Sequence, residues 1–263
     1  MILYTNGDSF VAGSGLAFHL LPKWPGLHDV ANDNLYKETR LWLDGCRKDK
    51  HSFKILTEII PRIEPTLAFP HKIKKLLNCQ IVNGAEGGSS FDRIARTTIT
   101  DLITLRKENR DSKIVAIIGD TDVFRSEVAH NVRGENFWFQ MHNNLEPPNE
   151  LRNLLRYKLL HEHNYHRMTE YYKNCILIKD FCKANDIELH WIDIGMVQED
   201  QRVINQHPDL AVLKEYADVT ASVNMTDCAI GVTGKYVPDG HFSEPVHAIV
   251  AEQFAKILEK YKV

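Results

Sequence analysis

The chain has 263 residues, 43% of them hydrophobic and 25% charged, a balance that supports a sizeable core without covalent staples. A formal charge of −3 and the absence of a basic stripe argue against a nucleic-acid partner. No apolar run approaches the roughly 20 residues of a membrane span, and no basic-then-apolar leader opens the chain, so the expectation is a cytosolic protein, or one carried in a virion made in a cytosol.

The first predicted element is a strand at 2–5 (ILYT), which runs into Asn6-Gly7-Asp8-Ser9-Phe10 and the small residues Ala12-Gly13-Ser14-Gly15. The stretch 20–70 is rich in Trp, His, Asn and Pro and fits neither strand nor helix period well. A second strand is expected at 79–83 (CQIVN). In 91–108, Phe91, Ile94, Ala95, Thr98, Leu102 and Leu105 recur at helical spacing. A third strand follows at 113–118 (KIVAII), then a second irregular stretch at 124–165. Helical spacing returns in 166–184 through Met168, Tyr171, Tyr172, Cys175, Ile178 and Phe181. A fourth strand lies at 187–193 (IELHWID), and a last helix at 244–262 carries Val246, Ile249, Val250, Phe254, Ile257 and Leu258.

Strands alternating with helices imply βαβ units around a parallel sheet covered on both faces. The two irregular stretches read as helical or loop-like insertions in a single domain, placed over the sheet end where α/β proteins bind ligands. The five cysteines, Cys46, Cys79, Cys175, Cys182 and Cys228, are odd in number, form no Cys-x-x-Cys pair and read as reduced, buried thiols.

A small-residue loop after a first strand suggests phosphate binding, but the spacing fails. Five residues separate Gly7 from Gly13 and no Gly-Lys pair follows, against a P-loop. Phe18 stands where a dinucleotide fingerprint needs its third glycine. No cofactor is therefore expected. Ser9 is then either a helix cap or a nucleophile. A nucleophilic serine needs a base, a group that orients the base, and donors for an oxyanion. Suitable residues follow the later elements: NGAEGGSSFDRI (83–94), IGDTDVFR (118–125) and PDGHFSEPVH (238–247).

These four blocks, in this order, resemble the SGNH hydrolase superfamily of GDSL-like lipases and acylhydrolases. Gly7-Asp8-Ser9 matches its first block, Asn83 with Gly88 its second, Gly119-Asp120-Thr121-Asp122 its third and Asp239-Gly240-His241 its last. The second and third blocks also look like SGNH-like proteins of tailed phages. The resemblance implies a flavodoxin-like three-layer α/β/α sandwich with a central parallel sheet. It implies a serine esterase acting through an acyl-enzyme on a small-molecule or glycan ester. Ser9 would be the nucleophile, His241 the base and Asp239 its orienting acid. Ser9 and Gly88 amides and the Thr121 hydroxyl would form the oxyanion hole.

Two departures stand out. Thr121 replaces the family's Asn, exchanging a fixed amide for one rotatable donor, with Asp120 and Asp122 on either side. The usual Asp-x-x-His is shortened by one residue, so Asp239 reaches His241 only if the loop is extended. A binding protein that has lost the chemistry, or an acyltransferase, is the competing expectation. His247 competes with His241 as base, although it falls within the last helix. The run His161–His166 (HEHNYH) lacks the His-Glu-x-x-His spacing of a zinc helix, so no metal is expected. Arg125 and Glu127 read equally as an ion pair or as substrate contacts. Trp24, Trp42 and Trp138 read as core or lid packing ahead of sugar stacking.

Overall fold

The computed structural model describes residues 1–29, 33–123, 125–132, 135–141, 152–153, 164–195 and 201–262. Its strands are β1 (Ile2–Asn6), β2 (Gln80–Asn83), β3 (Ile114–Gly119), β4 (Ser126–Val132), β5 (Glu135–Met141), β6 (Glu188–Asp193) and β7 (Ala221–Asn224). Its helices are α1 (Ser9–Ala12), α2 (Asp33–Lys48), α3 (Lys50–Lys54), α4 (Ile60–Leu67), α5 (Phe69–Leu77), α6 (Phe91–Glu108), α7 (Asn164–Ala184), α8 (Gln201–Gln206), α9 (Pro208–Ala217), α10 (Met225–Cys228) and α11 (Glu244–Ile257).

Five strands form one parallel sheet in the order β2-β1-β3-β6-β7. Side-chain alternation sorts the residues of each strand between two cores. Ile2, Tyr4, Ile114, Ala116 and Ile118 pack under α6, α7 and α9. Leu3, Val115 and Ile117 face the opposite way, under α5 and α11. The result is a three-layer α/β/α sandwich with the flavodoxin-like strand order, which reverses between β1 and β3. Such a reversal opens a crevice at the carboxyl ends of those two strands.

The two stretches at 20–70 and 124–165 differ from each other. The first carries α2, α3, a π-helical stretch Ile55–Ile59 and α4, over a small core of Ala17, Leu21, Cys46, Ile55 and Ile60. The second was expected to be helical or irregular. Its described part instead begins with an antiparallel hairpin, β4 paired with β5 from Ser126↔Met141 to Val132↔Glu135. The aromatic and β-branched residues of SEVAHNV and ENFWFQM suit a pleated surface. None of the five cysteines is in a disulfide. No described helix is long and apolar enough to cross a membrane.

The crevice is closed from below by Val11. Its Cγ2 methyl lies 2.4 Å from where a Cβ would stand on Gly7, and equally 2.4 Å from one on Gly119. The glycines that open the first and third blocks thus leave room for one buried side chain of α1. Gly119→Ala should cost about 1–3 kcal/mol, the usual penalty for overpacking. Urea unfolding of a double-mutant cycle checks this: the same change made in a Val11→Ala background should cost less than half as much.

Candidate active site

Asn6 ends β1 wholly buried. Its Oδ1 accepts from the Gly7 amide at 2.8 Å, and its Nδ2 has acceptors at Thr97 Oγ1 (2.8 Å) and Thr98 Oγ1 (3.0 Å). Asp8 then caps α1, its carboxylate accepting from the Phe10 amide at 2.9 Å. Ser9 therefore sits on the first turn of a short helix whose position is set from both sides. Asp8 is itself fully buried and pairs with Arg125 Nη1 at 2.9 Å. Burial holds its carboxyl above the usual carboxylate range, and the Arg125 guanidinium offsets that only in part.

The histidine loop approaches from the other end of the chain. Gly240, at φ 87°, makes a tight turn in which its amide donates to the Val237 carbonyl at 2.9 Å. His241 Nε2 lies 2.7 Å from Ser9 Oγ. Its Nδ1 lies 2.9 Å from Asp239 Oδ1, yet the ring N–H is not aimed along that line and makes no well-formed hydrogen bond. Asp239 is thus near enough to orient and charge-stabilise the imidazole, but it reaches it through the turn at Gly240 and not through the extended loop expected, and at a poor angle. The Phe10 ring covers the imidazole with centroids 4.7 Å apart. Burial alone would lower the His241 pKa, but the carboxylates of Asp239, Asp8 and Glu64 together raise it above its ordinary value.

The second block is held as a rigid loop. Asn83 Oδ1 accepts from Thr5 Oγ1 at 2.9 Å and from the Ala85 amide at 3.1 Å. Arg93 of α6 reaches back to Ser89 Oγ at 3.1 Å and pairs with Glu86. Gly88 takes the left-handed φ of 78°, but the glycine packed against Ser9 is Gly87, where a Cβ would stand 3.7 Å from that of Ser9. Among the described residues, neither the Gly87 nor the Gly88 amide has a hydrogen-bond partner.

In the third block, Thr121 is buried beneath the serine loop. Its single hydroxyl proton has two acceptors, Ser89 O at 3.0 Å and Asp8 Oδ2 at 3.3 Å, while the oxygen accepts from Arg125 at 2.9 Å. Asp120 turns toward β6, where it accepts from the Ile194 amide at 3.0 Å. Burial, with Asp193 and Asp8 nearby, raises its carboxyl well above the usual range. Asp122 accepts from the Arg125 amide through its backbone oxygen at 3.0 Å.

The alternative base, His247, is buried on α11. Its Nδ1 accepts from the Phe69 amide at 3.1 Å, the ring stacks on Phe69, and burial holds it neutral with a pKa lowered to about 3. It fastens the start of α5, and His241 is the ring at Ser9. Arg125 and Glu127 are ion-paired, the latter to Arg96 at 2.7 Å. Trp42 donates to Pro22 O at 3.1 Å and packs on Phe18, while Trp24 packs on His19. His161, Glu162 and His163 lie outside the described residues, and those described contain no cluster of metal-ligating side chains. A cleft of about 630 Å³ lined by the end of β6, by α7 and by the segment from the end of α9 to β7 has Asp120 and Asp193 in its wall, but neither Ser9 nor His241.

Sequence reasoning missed Glu64. It comes from α4 and accepts from the Gly15 amide at 2.6 Å. Burial raises its pKa to about 7, with Asp239 adding to the shift. Nothing in the local sequence marks it, because it lies 175 positions from Asp239 in an irregular, proline-rich stretch.

No family model matches the sequence, and no curated protein does. Solved structures do. One, from Desulfitobacterium hafniense DCB-2 and ascribed to the G-D-S-L lipolytic family, is 9% identical with a TM-score of 0.48, covering 98% of this chain and 99% of that one. A carbohydrate esterase family 2 enzyme with a carbohydrate-binding domain, from Corynascus thermopiles, is 11% identical with a TM-score of 0.48, over 99% of this chain and 66% of that one. An acetyl xylan esterase from the rumen bacterium Butyrivibrio proteoclasticus is 12% identical with a TM-score of 0.47, over 98% and 63%. The chain spans about two thirds of the length of the last two. At identities of 9–12% and TM-scores of 0.47–0.48, these are likenesses of overall fold.

Proposed function

We propose that this protein is a serine hydrolase of the SGNH type, cleaving an acyl or acetyl ester through an acyl-enzyme. The observation that carries the reading is the 2.7 Å approach of His241 Nε2 to Ser9 Oγ, with Asp239 behind the ring at 2.9 Å. Ser9 Oγ attacks the carbonyl carbon as its proton passes to His241 Nε2. Asp239 favours the tautomer with its proton on Nδ1 and stabilises the imidazolium. The tetrahedral intermediate then collapses, breaking the C–O bond to the alcohol, and the proton held on Nε2 passes to the departing alkoxide. Water repeats the sequence on the acyl-enzyme and releases the acid.

The Ser9 and Gly88 amides are the proposed oxyanion donors, with the adjacent Gly87 amide a further one. Thr121 contributes little in this reading, since its proton is directed at Ser89 O and Asp8. That same observation favours one second reading, a protein that forms the acyl-enzyme but turns it over slowly or simply binds the ester. Losing one oxyanion donor typically costs about 10²–10³ in rate.

A fluorophosphonate probe should label Ser9 covalently, read by peptide mass spectrometry, and Ser9→Ala should lose both the label and hydrolysis of p-nitrophenyl acetate, by more than about 10⁴-fold. Acetylated xylan oligosaccharides tested alongside ask whether the ester is glycan-borne. No label and no hydrolysis sinks the hydrolase reading. A stable label with negligible turnover supports the second one.

The base must be neutral to accept the serine proton. Because the His241 pKa is raised, kcat/KM should climb with pH through a midpoint above the ordinary histidine value near 6.5. Asp239→Asn removes the largest charge holding that proton. It should shift the midpoint downward and reduce the plateau by about 10²–10⁴-fold. The measurement is a pH profile of kcat/KM for both forms.

A further inference from the structure

The loop that carries the acid and the base is clasped by the first insertion at several points. Residue 28 makes a two-way backbone bridge with Tyr236, both N–H to O distances being 2.9 Å. Asp29 accepts from the Gly234 amide. Thr39, buried on α2, donates to the Pro238 carbonyl at 2.5 Å, one residue before Asp239. Leu16, Ala68 and Val237 form a small buried cluster where the loop, the insertion and the start of α5 meet. An insertion that served only as a lid would leave this loop free to stand without it.

One contact in this clasp is chemical rather than merely mechanical. Gly15 stands between two carboxyls. Its amide donates to Glu64 Oε1 at 2.6 Å. A Cβ on its other side would come within 2.9 and 3.0 Å of the two Asp239 oxygens. Glu64, Gly15, Asp239 and His241 therefore form one continuous chain of contacts ending at Ser9.

We propose that Glu64 is a positioning residue of the catalytic apparatus, supplied by the insertion: it anchors the 13–17 loop behind Asp239 and shares with Asp239 the charge of protonated His241. This deepens the hydrolase reading and rests on it. Asp239 alone faces the ring at a poor angle, so its charge acts without a well-formed hydrogen bond. A second carboxylate one glycine away adds attraction that depends on distance and not on angle. The groups facing His241 are Asp239 on its own loop, Ser9, Phe10 and Asp8 from the first block, Glu64 from α4, and His247 from α11, which burial keeps neutral. Glu64 itself faces Asp239 and His241, and its raised pKa near 7 makes its titration overlap that of the ring. Two groups so coupled release protons in steps that belong to the pair.

The test follows the His241 ring nitrogens by NMR through a pH titration of the whole chain, the signal being identified by its loss in His241→Asn. Glu64→Gln keeps an oxygen for the Gly15 amide but no charge. It should lower the His241 midpoint by about half a pH unit or more and turn a broad titration into a single step. The acidic limb of the kcat/KM profile should move by the same amount. Thr39→Val cuts a neutral tie from the same insertion and should leave the midpoint in place. An unmoved midpoint in Glu64→Gln overturns the proposal. So does an equal shift in Thr39→Val, which would make the effect one of loop geometry. Because the titration needs no turnover, a protein that hydrolyses nothing would fail the hydrolase reading while still reporting on Glu64.

Discussion

A carboxylate sealed from water has to be paired, and in this protein that requirement falls on Asp8. Its two oxygens answer the Phe10 amide, the Thr121 hydroxyl and the Arg125 guanidinium. These partners come from the loop after β1 and the loop after β3. The buried pair therefore fastens together the two strand ends between which the sheet order reverses. Breaking such a pair by removing one member leaves an uncompensated buried charge, which typically costs about 3–5 kcal/mol. Ser9 is the next residue, so the same constraint that satisfies Asp8 also sets where the proposed nucleophile stands. Val11, seated against Gly7 and Gly119, does by packing what Asp8 does by charge.

His241 arrives by a separate route. Its loop precedes α11, and the segment between α1 and α4 holds it through Thr39 and the bridge from His28 to Tyr236. The Ser9–His241 distance thus depends on two bodies meeting, one pinned by a buried ion pair and the other by an insertion. Thr121 shows the cost of the first arrangement. A hydroxyl has one proton, and the setting that supports Asp8 gives it acceptors other than an incoming oxyanion. In the proposed hydrolase, the Gly87 and Gly88 amides of the loop stiffened by Arg93, with the Ser9 amide, are what remains to stabilise charge, since the amides of residues 84, 85, 86 and 89 already have acceptors.

The layered sheet was legible because period and burial agree. IVAIIG is buried on both faces, as a central parallel strand must be, and FDRIARTTITDL repeats its apolar residues on one helical face. β7 was not legible. ASVN is short and polar, buries only Val223 and is a strand only because β6 lies beside it. The helices of the first insertion were obscured by Pro61 and Pro65, of which Pro65 lies inside α4. The hairpin at Ser126–Met141 was masked by its polar half, since Glu127, His130 and Asn131 interrupt any run of strand formers.

By itself, the sequence determined the order of the chemistry-bearing blocks and the fold class that would bring strand ends together, because side-chain period and glycine position are local properties. It pointed to Ser9, Asp239 and His241 as candidates through the resemblance of the four blocks to those of SGNH hydrolases. Only the tertiary structure decided which histidine faces the serine, that Gly87 packs beside it, that Asp8 is paired with Arg125 and that Glu64 stands one glycine from Asp239. Each of those is a contact between residues far apart in the chain. Such contacts depend on how loops close over the sheet, and nothing in the local pattern of any one segment records that closure.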